Sequence, residues 1–207
     1  MINGRSNLIS VAEIQPLSEV NGPGNRAVIW VQGCSKRCAG CWNPEYLPFN
    51  DRRMLTSQDL FQEVRRLTRG FRNIEGVTFS GGEPFAQADS LYPAAQAFKD
   101  EGLSLMAFSG YTIEEIGDLS VSAARILGLL DILVDGEYKQ DEPYMGLWRS
   151  SANQKIHFLS DRYQSWKNEI SDTKQEFEVT IDSSNMRLTG FPEHDLLRNL
   201  KTTKRQP

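Results

Sequence analysis

Ala27-Val28-Ile29-Trp30-Val31-Gln32-Gly33-Cys34-Ser35-Lys36-Arg37-Cys38-Ala39-Gly40-Cys41-Trp42-Asn43-Pro44 joins an unbroken apolar run to a cluster of cysteines. The run is apolar on both faces, as a strand buried inside a parallel sheet should be. The three cysteines that follow are the only ones in 207 residues, and they fall within eight positions of one another. Thiolates bind soft metals, so the cluster reads as a ligand set. A closed zinc site takes four protein ligands, and a [4Fe–4S] cube usually takes four thiolates. Three thiolates leave one position open, and an open iron can coordinate a substrate. Zinc is the competing reading. Its fourth ligand would come from His157, His194 or a carboxylate, and neither histidine stands at ligand-like spacing. The odd count speaks against a disulfide framework.

Outward from this run, strand-like and helix-like segments alternate. The patterns predict strands at 27–32, 76–80, 103–108, 131–135 and 155–159. A helix is predicted at 57–69, capped by Thr56 or Ser57 and stopped at Gly70, with Leu60, Phe61, Val64 and Leu67 at helical spacing. Another is predicted near 89–101, ended by Gly102, and a helical stretch over 112–130, broken near Gly117-Asp118. Strands separated by helices of this size form parallel βαβ units. Four loops would then share the carboxyl edge of the sheet: the cysteine loop, Ser80–Pro84, Ser109-Gly110-Tyr111-Thr112 and Asp135-Gly136-Glu137. Ligands bind at that edge in open sheets and barrels alike.

The ends carry weaker signals. Leu8-Ile9-Ser10-Val11-Ala12-Glu13-Ile14 alternates like an edge strand or hairpin arm. Residues 177–182 and 186–191 flank a polar turn, Ser183-Ser184-Asn185, and read as a β-hairpin; a short helix over 193–200 is expected after Pro192. The length suits one domain, with residues 1–160 as its main body and 161–207 as an extension packed on it. Hydrophobic content of 39% and charged content of 24% are ordinary for a soluble globular protein. No apolar run approaches a membrane span and no leader pattern opens the chain, so a cytoplasmic location is expected. A net charge of −4 argues against a nucleic-acid partner held by phosphates, and Lys201-Thr202-Thr203-Lys204-Arg205 reads as a solvated tail.

The spacing C-x3-C-x2-C after one strand, with Ser80-Gly81-Gly82-Glu83-Pro84 after the next, resembles the radical S-adenosylmethionine (SAM) superfamily. Gly40-Cys41-Trp42-Asn43-Pro44, Asp135-Gly136 and Leu147-Trp148-Arg149-Ser150-Ser151-Ala152-Asn153-Gln154 resemble, within it, the activating proteins of anaerobic ribonucleotide reductase; the likeness covers about residues 22–160. It implies an α/β fold, a partial open (βα)-barrel of parallel strands, with the β-hairpin and helix of the C-terminal extension added to it. The length agrees, since a complete eight-fold barrel needs about 250 residues.

The resemblance also implies a mechanism. A [4Fe–4S] cluster on Cys34, Cys38 and Cys41 would donate one electron to SAM chelated at the open iron. Methionine and a 5′-deoxyadenosyl radical would form, and the radical would take hydrogen from a glycine of a glycyl radical enzyme. A flavodoxin- or ferredoxin-type protein would supply the electron. The hard chemistry belongs to the cofactors, so no side chain is nominated as catalytic. Cofactor contacts are expected from Gly40, Cys41, Trp42, Ser80, Gly81, Gly82, Glu83, Ser109 and Asp135.

Several of these have ordinary readings beside the functional one. Gly81 and Gly82 permit close backbone approach to a ligand, so a side chain at Gly82 should obstruct SAM and spare the cluster. Glu83 is either a SAM contact or a cap. Trp42 lies against adenine, shields the cluster or packs in the core. Ser109, Thr112, Asp135 and Arg149 are each polar contacts to SAM or partner, or else caps and ion pairs. Trp148, Tyr144 and His157 read as structural. The alternative function is a radical SAM enzyme acting on a small molecule or a ribosomal peptide. The absence of further cysteines for auxiliary clusters shifts weight to the activase. A metal-binding module without catalysis would not need the Gly-Gly-Glu-Pro segment.

Overall fold

The computed structural model describes residues 7–144, 146–170, 176–181 and 186–192. The chain opens with a long antiparallel pair, β1 (Leu8–Ser18) and β2 (Arg26–Val31). All six residues of β2 are buried. The loop bearing the cysteines then returns through a short strand, β3 (Met54–Thr56), to pair with the far edge of β1. Thr56 caps α1 (Ser57–Thr68) by accepting from the Asp59 amide. There follow β4 (Gly76–Gly81), α2 (Ala88–Asp100), β5 (Ser104–Phe108), α3 (Ile113–Leu119), α4 (Val121–Leu129), β6 (Ile132–Asp135) and β7 (Lys155–Phe158).

The seven strands run in the order β3-β1-β2-β4-β5-β6-β7, with β2, β4, β5 and β6 parallel. Its order never reverses, so right-handed crossovers lay the helices on one face. Val77, Phe79, Leu105, Ala107 and Leu133 meet those helices in one core. Met106, Ile132 and Val134 point the other way, against Leu147, Trp148, Tyr163 and Phe191. The result is a mixed α/β fold around a mostly parallel sheet. No helix among the described residues is long and apolar enough to cross a membrane.

Three sequence expectations need correction. The strand at 155–158 is antiparallel to β6 rather than parallel. The described part of 136–154 holds no helix, and without a crossover the chain turns straight back. Next, the helical stretch breaks at Ser120, not at Gly117-Asp118. Ser120 is extended and its side chain accepts from the Ala123 amide, which starts α4 afresh, whereas Gly117 stays helical. Finally, β2 begins one residue early, at a buried charge. Arg26 is fully buried and donates to Thr78 Oγ1 (2.8 Å), Ser104 Oγ (2.7 Å), Val77 O (2.9 Å), Ser104 O (3.2 Å) and Pro23 O (3.2 Å). Burial holds its pKa below the usual arginine value. This guanidinium clamps the amino ends of β2, β4 and β5, at the pole opposite the cysteines.

The hairpin expected near the C-terminus is present as β8 (Phe177–Ile181) and β9 (Met186–Gly190), a separate two-stranded sheet. The helix expected at 193–200 lies outside the described residues, as does His194.

Candidate functional site

Four strand-end loops converge on one cavity of about 280 Å³. Cys34, Cys38, Cys41 and Trp42 line it from the loop after β2, and Ser80, Gly81, Gly82 and Glu83 from the end of β4. Ser109 and Gly110 contribute from the end of β5, and Gly136 from the end of β6. Gly40 and Asp135 do not line it. Gly40 has φ +70 and forms the turn before Cys41, where any Cβ would strike the Gln140 side chain. Asp135 is 3% exposed; its Oδ2 accepts from the Ile113 amide (2.7 Å) at the start of α3, and its Oδ1 lies 3.0 Å from His157 Nε2.

The cysteine loop is held down by its own backbone. The Gly33 amide donates to Tyr46 O (2.8 Å) and the Cys34 amide to Leu47 O (3.0 Å), and Cys34 is buried. Gln32, which sequence reasoning passed over, donates to Pro48 O (2.6 Å) and fixes the returning strand of the loop. Cys38 and Cys41 share a turn, with the Cys41 amide on Cys38 O (3.2 Å), and both are half-buried. Burial pushes their thiols above the ordinary value, and the neighbouring cysteines add to the effect. A bound metal centre would reverse this, because its positive charge favours thiolate. Three free thiols lining one cavity, with room beside them, fit an iron–sulfur cluster. Among the described residues no three His, Cys, Asp or Glu side chains gather around a point that would hold a single ion. A cube asks for something looser, since each thiolate takes a different iron.

Gly82 explains how the two main loops fit together. Its amide donates to Val31 O (2.7 Å), the Glu83 amide donates to Gly33 O (2.9 Å), and a Cβ on Gly82 would strike the Gly33 carbonyl oxygen. The glycine is therefore required by the cysteine loop itself, a nearer neighbour than any ligand.

Glu83 sits beneath this contact, 1% exposed. Its Oε1 accepts from the Phe85 amide (3.0 Å) and Ser109 Oγ (3.0 Å), its Oε2 from the Gly110 amide (2.8 Å). Burial pushes its pKa up to about 7 despite these three donors. It thus caps the turn at Pro84–Gln87 and ties the β4 loop to the β5 loop.

The remaining candidates sort by contact. Thr112 and Glu115 form a capping box on α3. Arg149 stacks on the Tyr144 ring at 3.6 Å and donates to Gln154 O. Gln154 accepts from the Ser150 amide (2.9 Å) and donates to Gly136 O (3.0 Å), bracing the β6 loop. Trp148, 2% exposed, stacks on Trp166 at 5.2 Å and also lines the cavity. Trp42 meets the Tyr138 ring edge-on at 6.4 Å and Phe191 at 6.3 Å.

Two features had no signal in the sequence reading. Lys36, between the first two cysteines, reaches Glu137 (3.1 Å) and Glu115 (3.4 Å) and lies 4.4 Å over the Tyr111 ring. The wall opposite the cysteines is built by β9 and by Glu13, Gln15 and Asn21 from the β1 arm.

Three free thiols in one loop, at the carboxyl edge of a mostly parallel sheet, are the arrangement an iron–sulfur protein of the α/β class presents. The family model described as a 4Fe-4S single cluster domain matches residues 20–157. The anaerobic ribonucleoside-triphosphate reductase-activating protein of Vibrio cholerae is 33% identical over 147 residues, 69% of this chain and 93% of its own. Its namesakes from Escherichia coli K12 and Enterobacteria phage T4 are each 30% identical, covering 70% and 75% of this chain and 95% and 97% of their own. A crystal structure of QueE from Escherichia coli aligns with 51% of the chain at 21% identity and a TM-score of 0.43, too distant a likeness to carry weight. The chain belongs to the family of these anaerobic reductase-activating proteins.

Proposed function

We propose that the protein cleaves SAM reductively at a [4Fe–4S] cluster held by Cys34, Cys38 and Cys41, and installs a glycyl radical on a partner such as anaerobic ribonucleotide reductase. The observation that carries this reading is the convergence of all three thiols and the Ser80–Glu83 and Ser109–Gly110 loops on one cavity. When bound, the cluster supplies a low-potential electron and SAM supplies the 5′-deoxyadenosyl group that takes the substrate hydrogen.

The chain's own residues position and protect. Cys34, fixed by Leu47 O, is the anchored ligand, and Cys38 and Cys41 follow on one turn. Ser80, Gly81 and Gly82 offer a backbone wall to SAM, while Glu83 and Ser109 lock that wall to the next loop. Trp42 shields the cluster side from solvent. Asp135 and Gly40 act one step back, by fixing α3 and the turn before Cys41. We read the one-sided helix layer as an open partial barrel, 1–160, with 161–207 as an extension on it. A flavodoxin- or ferredoxin-type donor and a reducing, cytoplasmic setting complete the reading.

The test is anaerobic reconstitution, with iron, sulfide and EPR measured per chain, followed by dithionite reduction with SAM and a co-encoded reductase. The expected products are 5′-deoxyadenosine, methionine and a glycyl radical doublet, with deuterium from the target glycine recovered in 5′-deoxyadenosine. Zinc as the sole tightly held metal, or S-adenosylhomocysteine as the sole product, would overturn it.

A further inference from the structure

Six consecutive residues, Arg187-Leu188-Thr189-Gly190-Phe191-Pro192, all line the cavity that the cysteines line. A strand sends alternate side chains to opposite faces. A wall lined by every residue in succession is therefore the strand's edge, not a face. The register shows which backbone groups stand on that edge. The Phe191 amide donates to Glu176 O (2.8 Å), in step with the pairs Thr189–Glu178 and Arg187–Thr180. Hydrogen-bonded and non-bonded pairs alternate in an antiparallel ladder. Leu188 and Gly190 thus turn their N–H and C=O groups away from β8, toward the cavity. Among the described residues, no backbone group outside the hairpin bonds to either of them.

The hairpin is also mounted polar side in. Arg187 pairs with Glu13 (2.6 Å), Thr189 Oγ1 accepts from Asn21 (2.9 Å), and Glu178 accepts from Gln15 (3.2 Å) and the Glu19 amide (2.6 Å). Its apolar face looks outward, with Phe177 43%, Val179 46%, Ile181 75% and Met186 48% exposed. A contiguous apolar face of this kind marks an interaction site, and an unpaired strand edge is a template for another chain. The occupant must satisfy both, so it is an extended polypeptide belonging to a protein large enough to cover the face.

We propose that the free edge of β9 receives the partner protein's glycine-bearing segment as an added strand, leading the target glycine past the cysteines. The proposal rests on the activase reading above. Glycine has no side chain by which it can be held, and pairing along the main chain needs none.

Hydrogen exchange on the reconstituted full-length protein tests this, using as probe a peptide that copies the glycine loop of an anaerobic ribonucleotide reductase. The Leu188 and Gly190 amides should exchange readily alone and gain about tenfold protection with the peptide, while Thr189 and Phe191, already bonded to β8, change little. Peptides N-methylated at successive residues should lose about tenfold in affinity at every second position and be near-neutral between. Leu188→Pro, which removes only an outward N–H, should weaken the peptide about tenfold, and Leu188→Ala within about twofold. The peptide scan keeps the test intact should the proline variant misfold. A flat N-methyl scan, or protection of Leu188 and Gly190 before peptide is added, overturns the docking edge. Glycyl radical formation on the intact reductase, measured alongside, separates the two readings. A radical with a flat scan sinks the docking edge alone, and no radical from wild type sinks both.

Discussion

Replacing Glu83 by glutamine should remove a specific pH dependence of folding. The carboxyl group is 1% exposed, and burial raises its pKa from 4.5 to about 7. The folded chain therefore holds the proton more tightly than the unfolded chain. Stability from this group is fully present below pH 4.5 and declines as pH rises to about 7. At about 1.4 kcal/mol per pKa unit the whole loss is about 3 kcal/mol, most of it between pH 5 and pH 8. The amide cannot ionise, so Glu83→Gln lacks this slope. It pays instead a constant cost of about 1–3 kcal/mol, because its NH2 faces the Gly110 or Phe85 amide where an acceptor stood. Urea unfolding of both proteins, metal-free and reduced, at pH 5 and pH 8 isolates the effect. The variant should gain about 2–3 kcal/mol on wild type between the two pH values. A difference that stays the same at both would refute the claim that Glu83 is buried with its proton.

Three further outcomes are expected. Cys34→Ala, Cys38→Ala or Cys41→Ala should each abolish an intact cluster or its SAM cleavage, read by iron content and EPR. Gly82→Ala should cost about 1–3 kcal/mol and lower iron retention as well as SAM binding, because its Cβ meets the Gly33 carbonyl of the cysteine loop; full iron retention with only SAM binding lost would restore the simpler ligand-wall view. Arg26→Met should lower the unfolding free energy by about 3 kcal/mol by stranding the Thr78, Ser104 and Val77 acceptors, seen as a drop in urea midpoint, while the reconstituted cluster's EPR signal is unchanged.

Much of this architecture could be read along the chain because its signals are local. The both-face apolar character of 27–31, the Thr56 cap and the apolar spacing of 60–67 depend on neighbours within a few residues, and the structure repeats them. Strand direction is not local: β7 looks like any other strand, and only the absence of a helix before it tells that it runs backward. The break at Ser120 is hard to see in the sequence because glycine is the stronger local breaker, whereas serine ends one helix only by capping the next. Within the site, cysteines and glycines stand out by type, whereas Gln32 and Lys36 act through partners 13 or more residues away. The β9 wall was hidden for a different reason. Its residues are ordinary, and what matters is the edge they present.

The buried guanidinium of Arg26 gathers β2, β4 and β5 at one pole, and the cysteine, Ser80–Glu83 and Ser109–Gly110 loops that line the cavity leave from the other. Fold security and chemistry are thereby inherited separately. A lineage can lengthen, shorten or re-charge the loops to suit a new client, and the knot of hydrogen bonds around Arg26 is indifferent to the change. The same separation predicts where the family can least afford to vary outside its cysteines: not beside the cavity, but at the far end of the strands, where one buried charge is held by serine, threonine and main-chain oxygens with Tyr163 beside it.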